Sequence, residues 1–421
     1  MVRLLILSVA MSFAFAARMA AATDAPNRYQ LKAGVDLSYV VTSGYDSWTQ
    51  GFVGKLLYDG NTDGVKISQA FIDASFQLTD TLKAHAVIDA YDDDLGAIAG
   101  FTQAYVEWRP VPRSKNRYRL KVGAFYPHLS LENVSPGWDS PYTINYSAIN
   151  TWVAEELRTV GAELSVSRRP EMFGGTQTFS LQGAVFVGND PTGSLLAWKG
   201  WSAHNRQTRF GDKLPLPPLP VLEPGELLDE QNPYVQPFRE IDGRAGYYVG
   251  GEWQLNQQLL IRAMHYDNRA DPTAFEDGQY AWNTKFNHVA AQIALPGEWS
   301  LLFQWMTGST VMGQVVDGAH IVDTEFDSKY LMLTRTFDRH RVSLRNDKFE
   351  MTQNDDTEDD NNPENGYVWT LAYFYDWSDK LSFGAESMVI KTHRCGWEYY
   401  DIDETRREKQ LQLSVRLRFG R

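Results

Sequence analysis

Apolar and polar residues alternate along this chain with a period of two. Between 28 and 42, Leu31, Ala33, Val35, Leu37, Tyr39 and Val41 fall on one side, and Lys32, Gly34, Asp36 and Ser38 on the other. At 69–78, Ala70, Ile72, Ala74, Phe76 and Leu78 oppose Asp73, Ser75 and Gln77. After a turn at Thr79-Asp80, Leu82, Ala84, Ala86, Ile88 and Ala90 oppose Lys83, His85, Val87 and Asp89. Such alternation marks strands with one apolar and one wet face. The segments fall at 28–42, 64–78, 80–91, 101–110, 116–128, 155–168, 176–188, 243–255, 258–269, 284–295, 298–310, 326–337, 339–351, 365–376, 379–392 and 408–420. That makes about 16 strands, most of them near or above the ~9–11 residues that cross a bilayer when tilted.

The connections alternate between long and short. The long ones are 43–63, 92–100, 129–154, 189–242, 270–283, 311–325, 352–364 and 393–407. The short ones include Thr79-Asp80, Asn256-Gln257, Pro296-Gly297, Asp338 and Trp377-Ser378. Short turns on one rim, long loops on the other and an even strand count predict an all-β fold, a transmembrane antiparallel β-barrel. A soluble sandwich has no reason to alternate so strictly. In the last segment, Leu411, Leu413, Val415, Leu417 and Phe419 form the outward stripe, and Gln410, Gln412, Ser414, Arg416 and Arg418 the inward one.

The N-terminus adds the compartment. Arg3, an apolar run over residues 4–17 and the small residues Ala20-Ala21-Ala22 read as an export signal cleaved after Ala22. The expected division is therefore a signal peptide at 1–22 and a barrel at 23–421, placed in a bacterial outer membrane. No later segment is apolar enough for a spanning helix. Strand one begins soon after cleavage, so no N-terminal plug domain is expected. Cys395 is the only cysteine, which is read as excluding a disulfide, a CxxC pair and a thiolate zinc site. The formal charge of −13 argues against nucleic-acid partners. Aromatics at 13% suit the girdles of a membrane barrel.

A barrel of this size is too wide for wall side chains to fill, so an aqueous channel is expected. Strand parity assigns its charges. The basic set is Lys32, Lys83, Arg109, Arg117, Arg119, Lys121, Arg262, Arg341, Arg345, Arg416 and Arg418. The acidic set is Asp36, Asp73, Asp89, Glu107, Glu163, Glu252, Asp347 and Glu386. Arg117, Arg119 and Lys121 form one row spaced by two, and Arg416 and Arg418 another. Each row is either a ladder that passes anions along the wall or a set of charges solvating the periplasmic rim.

The stretch from Ser140-Pro141-Tyr142 to Glu155-Glu156-Leu157-Arg158-Thr159-Val160-Gly161, just before a strand, resembles the phosphate-selective porin O and P family. The resemblance implies a sixteen-stranded outer-membrane channel, commonly a homotrimer, that passes small anions such as phosphate or other small hydrophilic solutes. It also implies that loop 129–154 folds inward as a constriction. In that family, rows of arginine and lysine serve the constriction. Here 129–154 holds no Lys or Arg and carries Glu132 and Asp139. Arg158 is the nearby cation, and is either a pore contact or, paired with Glu155 or Glu156, an anchor of the loop. The candidate pore residues are thus Arg117, Arg119, Lys121, Arg158, Arg416 and Arg418.

Loop 189–242 contains Pro215-Leu216-Pro217-Pro218-Leu219-Pro220, expected to be extended. Its Trp198, Trp201, Tyr234 and Phe238 could cap the mouth, or the loop could bind a partner, which would make the protein an adhesion or structural barrel instead. The acidic runs Asp92-Asp93-Asp94 and 355–360 are either solvated charge or sites for cations shared with lipopolysaccharide. None of the 8 histidines sits in a nucleophile motif, so no enzyme activity, cofactor or metal is expected.

Overall fold

The computed structural model describes residues 28–93, 95, 97–168 and 175–420. The proposed signal segment lies outside the described residues. Sixteen antiparallel strands close into a barrel. In chain order they are β1 Tyr29–Thr42, β2 Gly64–Gln77, β3 Leu82–Ala90, β4 Ala99–Trp108, β5 Asn116–Phe125, β6 Thr159–Arg168, β7 Gln177–Val187 and β8 Gly246–Leu255. There follow β9 Leu259–Asp267, β10 Asn283–Leu295, β11 Trp299–Val316, β12 Ala319–Phe337, β13 His340–Gln353, β14 Glu364–Ser378, β15 Leu381–Arg394 and β16 Thr405–Gly420. Every strand pairs with its sequence neighbour, and β1 meets β16 from Lys32↔Gly420 to Thr42↔Gln410 to close the ring. No sheet edge is left unpaired in the wall, as a lipid environment requires.

Each expected segment is a strand, with ends moved by a few residues. One expected connection is not a loop. Strands β11 and β12 run on through 311–325 and meet at Asp317 and Gly318, with φ of 53° and 103°. An Asp-Gly pair with both residues at positive φ suits a two-residue hairpin turn. The hairpin rises beyond the lipid, where its outer face loses the apolar stripe that announces a strand.

Strand parity holds. Leu331, Leu344, Trp369, Leu371, Leu411 and Leu413 face outward and are exposed. Asp36, Ser38, Arg345, Thr370 and Gln412 face inward and are buried. Trp108, Tyr118, Phe179, Trp377 and Phe383 stand exposed near the ends of strands where the short turns lie, one aromatic girdle of a membrane barrel.

This orientation is tested by Leu371→Arg in the middle of the outward face of β14. A lipid-facing arginine near the midplane costs about 2–4 kcal/mol. Denaturant unfolding of the barrel in lipid vesicles should show that loss, and an unchanged midpoint would take this stripe out of the membrane.

Candidate functional site

The bore is divided along its length. On the long-loop side it is packed with protein, and on the short-turn side it is wet. The first filling segment is 126–158, which leaves β5 and turns inward. It contains helix α1, Ala148–Glu156, every residue of which is buried. Ser147 caps α1 by accepting from the Asn150 amide. Ile149, Trp152 and Val153 pack with Met264, Tyr266, Phe286, Met306, Phe326, Met332 and Met388 from the wall. The inward face is thus not uniformly wet as the alternation suggested. Over β9–β15 much of it is apolar because it meets this segment and not water.

The polar part of the segment is held by the wall. Arg345 of β13, fully buried, pairs with Glu132 and with Asp347, the latter at 2.9 Å. It also donates to the carbonyls of Asn145 and Tyr146 at 3.0 and 2.9 Å. Glu132 accepts from the Ser147 amide at 3.0 Å and Asn150 Nδ2 at 2.8 Å. Arg418 pairs with Asp36 and, at 2.9 Å, with Asp139, while Arg416 donates to Ser140 O at 2.9 Å. Arg341 donates to Pro141 O at 2.7 Å and Arg262 to Ser130 O at 3.0 Å. In return, Glu386 accepts the amides of Ile144 and Asn145, and Asp347 that of Ala148. The lack of Lys and Arg in 129–154 now has a physical reason: the loop is the acidic and carbonyl-bearing partner of a basic wall.

A second filling segment comes from 189–242. Its helix α2, Ser194–Lys199, is buried. Glu156 of α1 accepts the amides of Gly193, Leu195 and Leu196 at the start of α2. Glu155 takes Lys199 and, at 2.8 Å, His204 Nε2, and these two hold its carboxyl at about 2 against burial, which pushes it up. Arg394 of β15 donates to the carbonyls of Ala197 and Trp198. Lys55, from the connection 43–63, pairs with Glu364 at 2.6 Å and donates to Lys199 O at 2.7 Å. Arg206 and Arg209 both pair with Asp93 and Asp212, so Asp93 is an inward anchor and not a surface charge. Trp201 is buried within the bore against Trp152 and Phe326, while Trp198 is buried edge-to-face on Trp282 among residues of the long loops. The proline stretch begins extended, with Leu214–Pro215 paired to Tyr234–Val235 and Leu219 in extended backbone, and ends in a 3-10 turn at Pro220–Leu222.

The expected pairing of Arg158 does not occur. Glu155 and Glu156 are both taken up by the second segment. Arg158 lies flat on Tyr126, 3.4 Å from the ring centroid, and donates to Leu157 O and Thr208 O at 2.8 and 3.0 Å. Burial pulls its guanidinium down to about 10.

Beneath these segments lies a wet vestibule. Arg117 is exposed at its rim and Lys32 is half-exposed. Lys83 and Arg119 keep 31% and 28% exposure, against 18% for Asp73 and 20% for Glu252, so cations outweigh carboxylates on the wetted wall. Arg119 and Lys121 both contact Glu163, at 3.2 and 3.1 Å. The six candidates are therefore not one site. Arg117 and Arg119 line the vestibule, Lys121 is buried against Glu163, Tyr105 and Phe125, Arg416 and Arg418 clamp the first segment, and Arg158 sits inside the packed region. Lys55, Lys199, Glu364 and Arg394 were missed. Arg394 and Glu364 lie on inward parity, but they sit where the strands were expected to end.

Residues 50–215 match the family of phosphate-selective porin O and P, a span that contains the stretch carrying the resemblance. No curated protein matches the chain in sequence. Among solved structures, an anion-selective porin from Comamonas acidovorans shares 13% identity at a TM-score of 0.50, covering 93% of this chain and 99% of that one. The outer membrane channel DcaP of Acinetobacter baumannii shares 12% at 0.49, covering 93% and 96%. The trimer form of OmpT from Vibrio cholerae shares 10% at 0.49, covering 93% and 99%. At these identities the likeness is one of fold.

Replacing Arg345 with leucine leaves Glu132 and Asp347 buried without their cation. Removing one partner of a buried pair costs about 3–5 kcal/mol. Denaturant unfolding should show that loss in Arg345→Leu, and a smaller one when Glu132→Leu is added.

Proposed function

We infer that this outer-membrane porin passes small hydrophilic solutes by passive diffusion, prefers anions, and conducts when the 189–242 loop withdraws from the bore. The single observation that carries the reading is the cation-weighted, wet vestibule lying directly under the packed loops. Clustered charge of one sign between low-dielectric walls raises the local concentration of counter-ions. Phosphate is one such anion. Because Arg119 and Lys121 share Glu163, the wall supports a general anion preference more than a dedicated phosphate ladder.

The loop is suited to withdrawal. Lys55–Glu364, Glu155–Lys199–His204 and the Arg394 bonds to carbonyls are non-covalent contacts, and no disulfide ties α2 to the wall. The segment 126–158, clamped by Arg262, Arg341, Arg345, Arg416 and Arg418, is the part that stays as the constriction. Adhesion through 189–242 is the weaker reading, since residues 194–209 are buried within the barrel.

The export signal, cleaved after Ala22, delivers the chain to its membrane. The homotrimer is carried over from the family resemblance. Lipopolysaccharide is a fitting outer-leaflet partner. Lys329↔Lys348 and Lys391↔Arg407 are direct register partners on the outward face, with Tyr367 between them. Like charges directly opposite repel, and lipid phosphates would offset that repulsion.

The test is the reversal potential of the purified protein in a planar bilayer under a KCl gradient. An anion-selective reversal is expected, moving toward cations in the double variant Arg117→Glu, Arg119→Glu. Arg394→Ala should raise the fraction of time spent open. A cation-selective reversal in the unmodified protein would overturn the anion preference, and absence of conductance in both it and Arg394→Ala would overturn the channel.

A further inference from the structure

We propose that His393, Cys395 and Glu404 form a binding site for a divalent cation of the zinc class at the root of the last outer loop. The three residues come from three places: the end of β15, the first residue of the 3-10 turn Cys395–Tyr400, and the residue before β16. One donor atom from each lies within 4.8 Å of the other two, and His393 Nε2 is 3.7 Å from Glu404 Oε2. Zinc binds such donors at about 2.0–2.3 Å, so small side-chain adjustments bring all three onto one ion.

The surroundings are arranged for this. Thr405 Oγ1 lies 3.0 Å from His393 Nδ1. A proton held on Nδ1 toward that hydroxyl leaves the Nε2 lone pair aimed at Glu404, the outer contact that commonly orients a metal-binding histidine. The backbone around the site is fixed. His393 and Thr405 are register partners, Arg394 N donates to Glu404 O at 2.9 Å, and Cys395 N to Pro363 O at 3.1 Å. The charge also fits. The Arg394 side chain turns inward to Glu364, while the Cys395 thiol stays with His393 and Glu404. On binding, the sulfur–metal bond forms and the thiol proton passes to water.

One sulfur, one nitrogen and one carboxylate oxygen, with a fourth position open to water, suit zinc more than calcium or magnesium, which prefer all-oxygen shells. A lone cysteine excludes sites built from several thiolates. A mixed site with one thiolate needs only that the fold bring Glu404 to a thiol nine positions away, as it does. The ion would close the ten-residue loop 395–404 at its base, outside the bore. By contrast, Asp190, Glu240 and Asp242 also converge, but Asp190 and Glu240 already accept backbone amides.

The experiment uses the full barrel in detergent, with folding checked by its heat-modifiable migration, and Zn2+ alone as the probe. Calorimetry should give one ion per chain. Cys395→Ser and His393→Ala should each weaken binding about tenfold or more, the range seen when a metal site loses a member or its support. Zn2+ should slow the reaction of Cys395 with Ellman's reagent, and Co2+ in its place should give a thiolate charge-transfer band. No binding by the unmodified chain, affinity retained in either variant, or a Co2+ spectrum without that band would each overturn the proposal.

Discussion

The interior of this barrel depends on charge pairing between the wall and the segments folded into it. A closed ring of this many strands encloses more space than its own side chains can fill. Chain entering that space brings backbone amides and carbonyls that need partners away from water. The wall supplies them as arginines and carboxylates. Arg345 joins Glu132 across 213 positions of sequence, and Arg416 reaches Ser140 across 276. A buried pair of this kind adds little net stability over an apolar pair of the same shape, but half of one is costly. The pairing therefore acts mainly as a register device. It fixes which inward segment sits against which strands, and leaves few alternatives that satisfy both sides.

Apolar packing does the complementary work. Helix α1 presents Trp152 to Phe286 and Phe326, and the methionines of β9–β15 fill the irregular space around it. Methionine is suited to such gaps because it is unbranched and polarisable. The second segment has a different character. It is seated on the first through Glu155 and Glu156 and on the rim through Lys55, Glu364 and Arg394. The first segment thus rests on the wall, and the second on both the wall and the first segment.

The contrast between the two ends follows from the same accounting of partners. Toward the short turns no inward loop arrives among the described residues, so wall residues such as Arg117 and Lys83 keep their exposure and their field. Toward the long loops, residues of the same parity and the same type lose both. A basic lumen residue is therefore a solute contact at one height and a structural clamp at another.

Much of the fold was legible in the sequence. The strands, their parity, the short turns and the membrane setting all follow from a period of two and from the rhythm of turns, because the two-sidedness of a strand is local and lipid acts on every strand alike. The inward charges were legible too: Arg262, Arg341, Arg345, Arg416 and Arg418 were placed in the lumen by parity alone. What those charges do was not. Whether an inward arginine meets water or a carboxylate is decided by a loop that can lie hundreds of positions away, and no local pattern records it. So the sequence could offer Arg158 as a pore contact or a loop anchor but not seat it on Tyr126, and it could name Cys395 as the only cysteine without showing that a closing hairpin sets His393 and Glu404 beside it. Local periodicity determined the wall; long-range pairing, which only the closed barrel creates, decided what fills it.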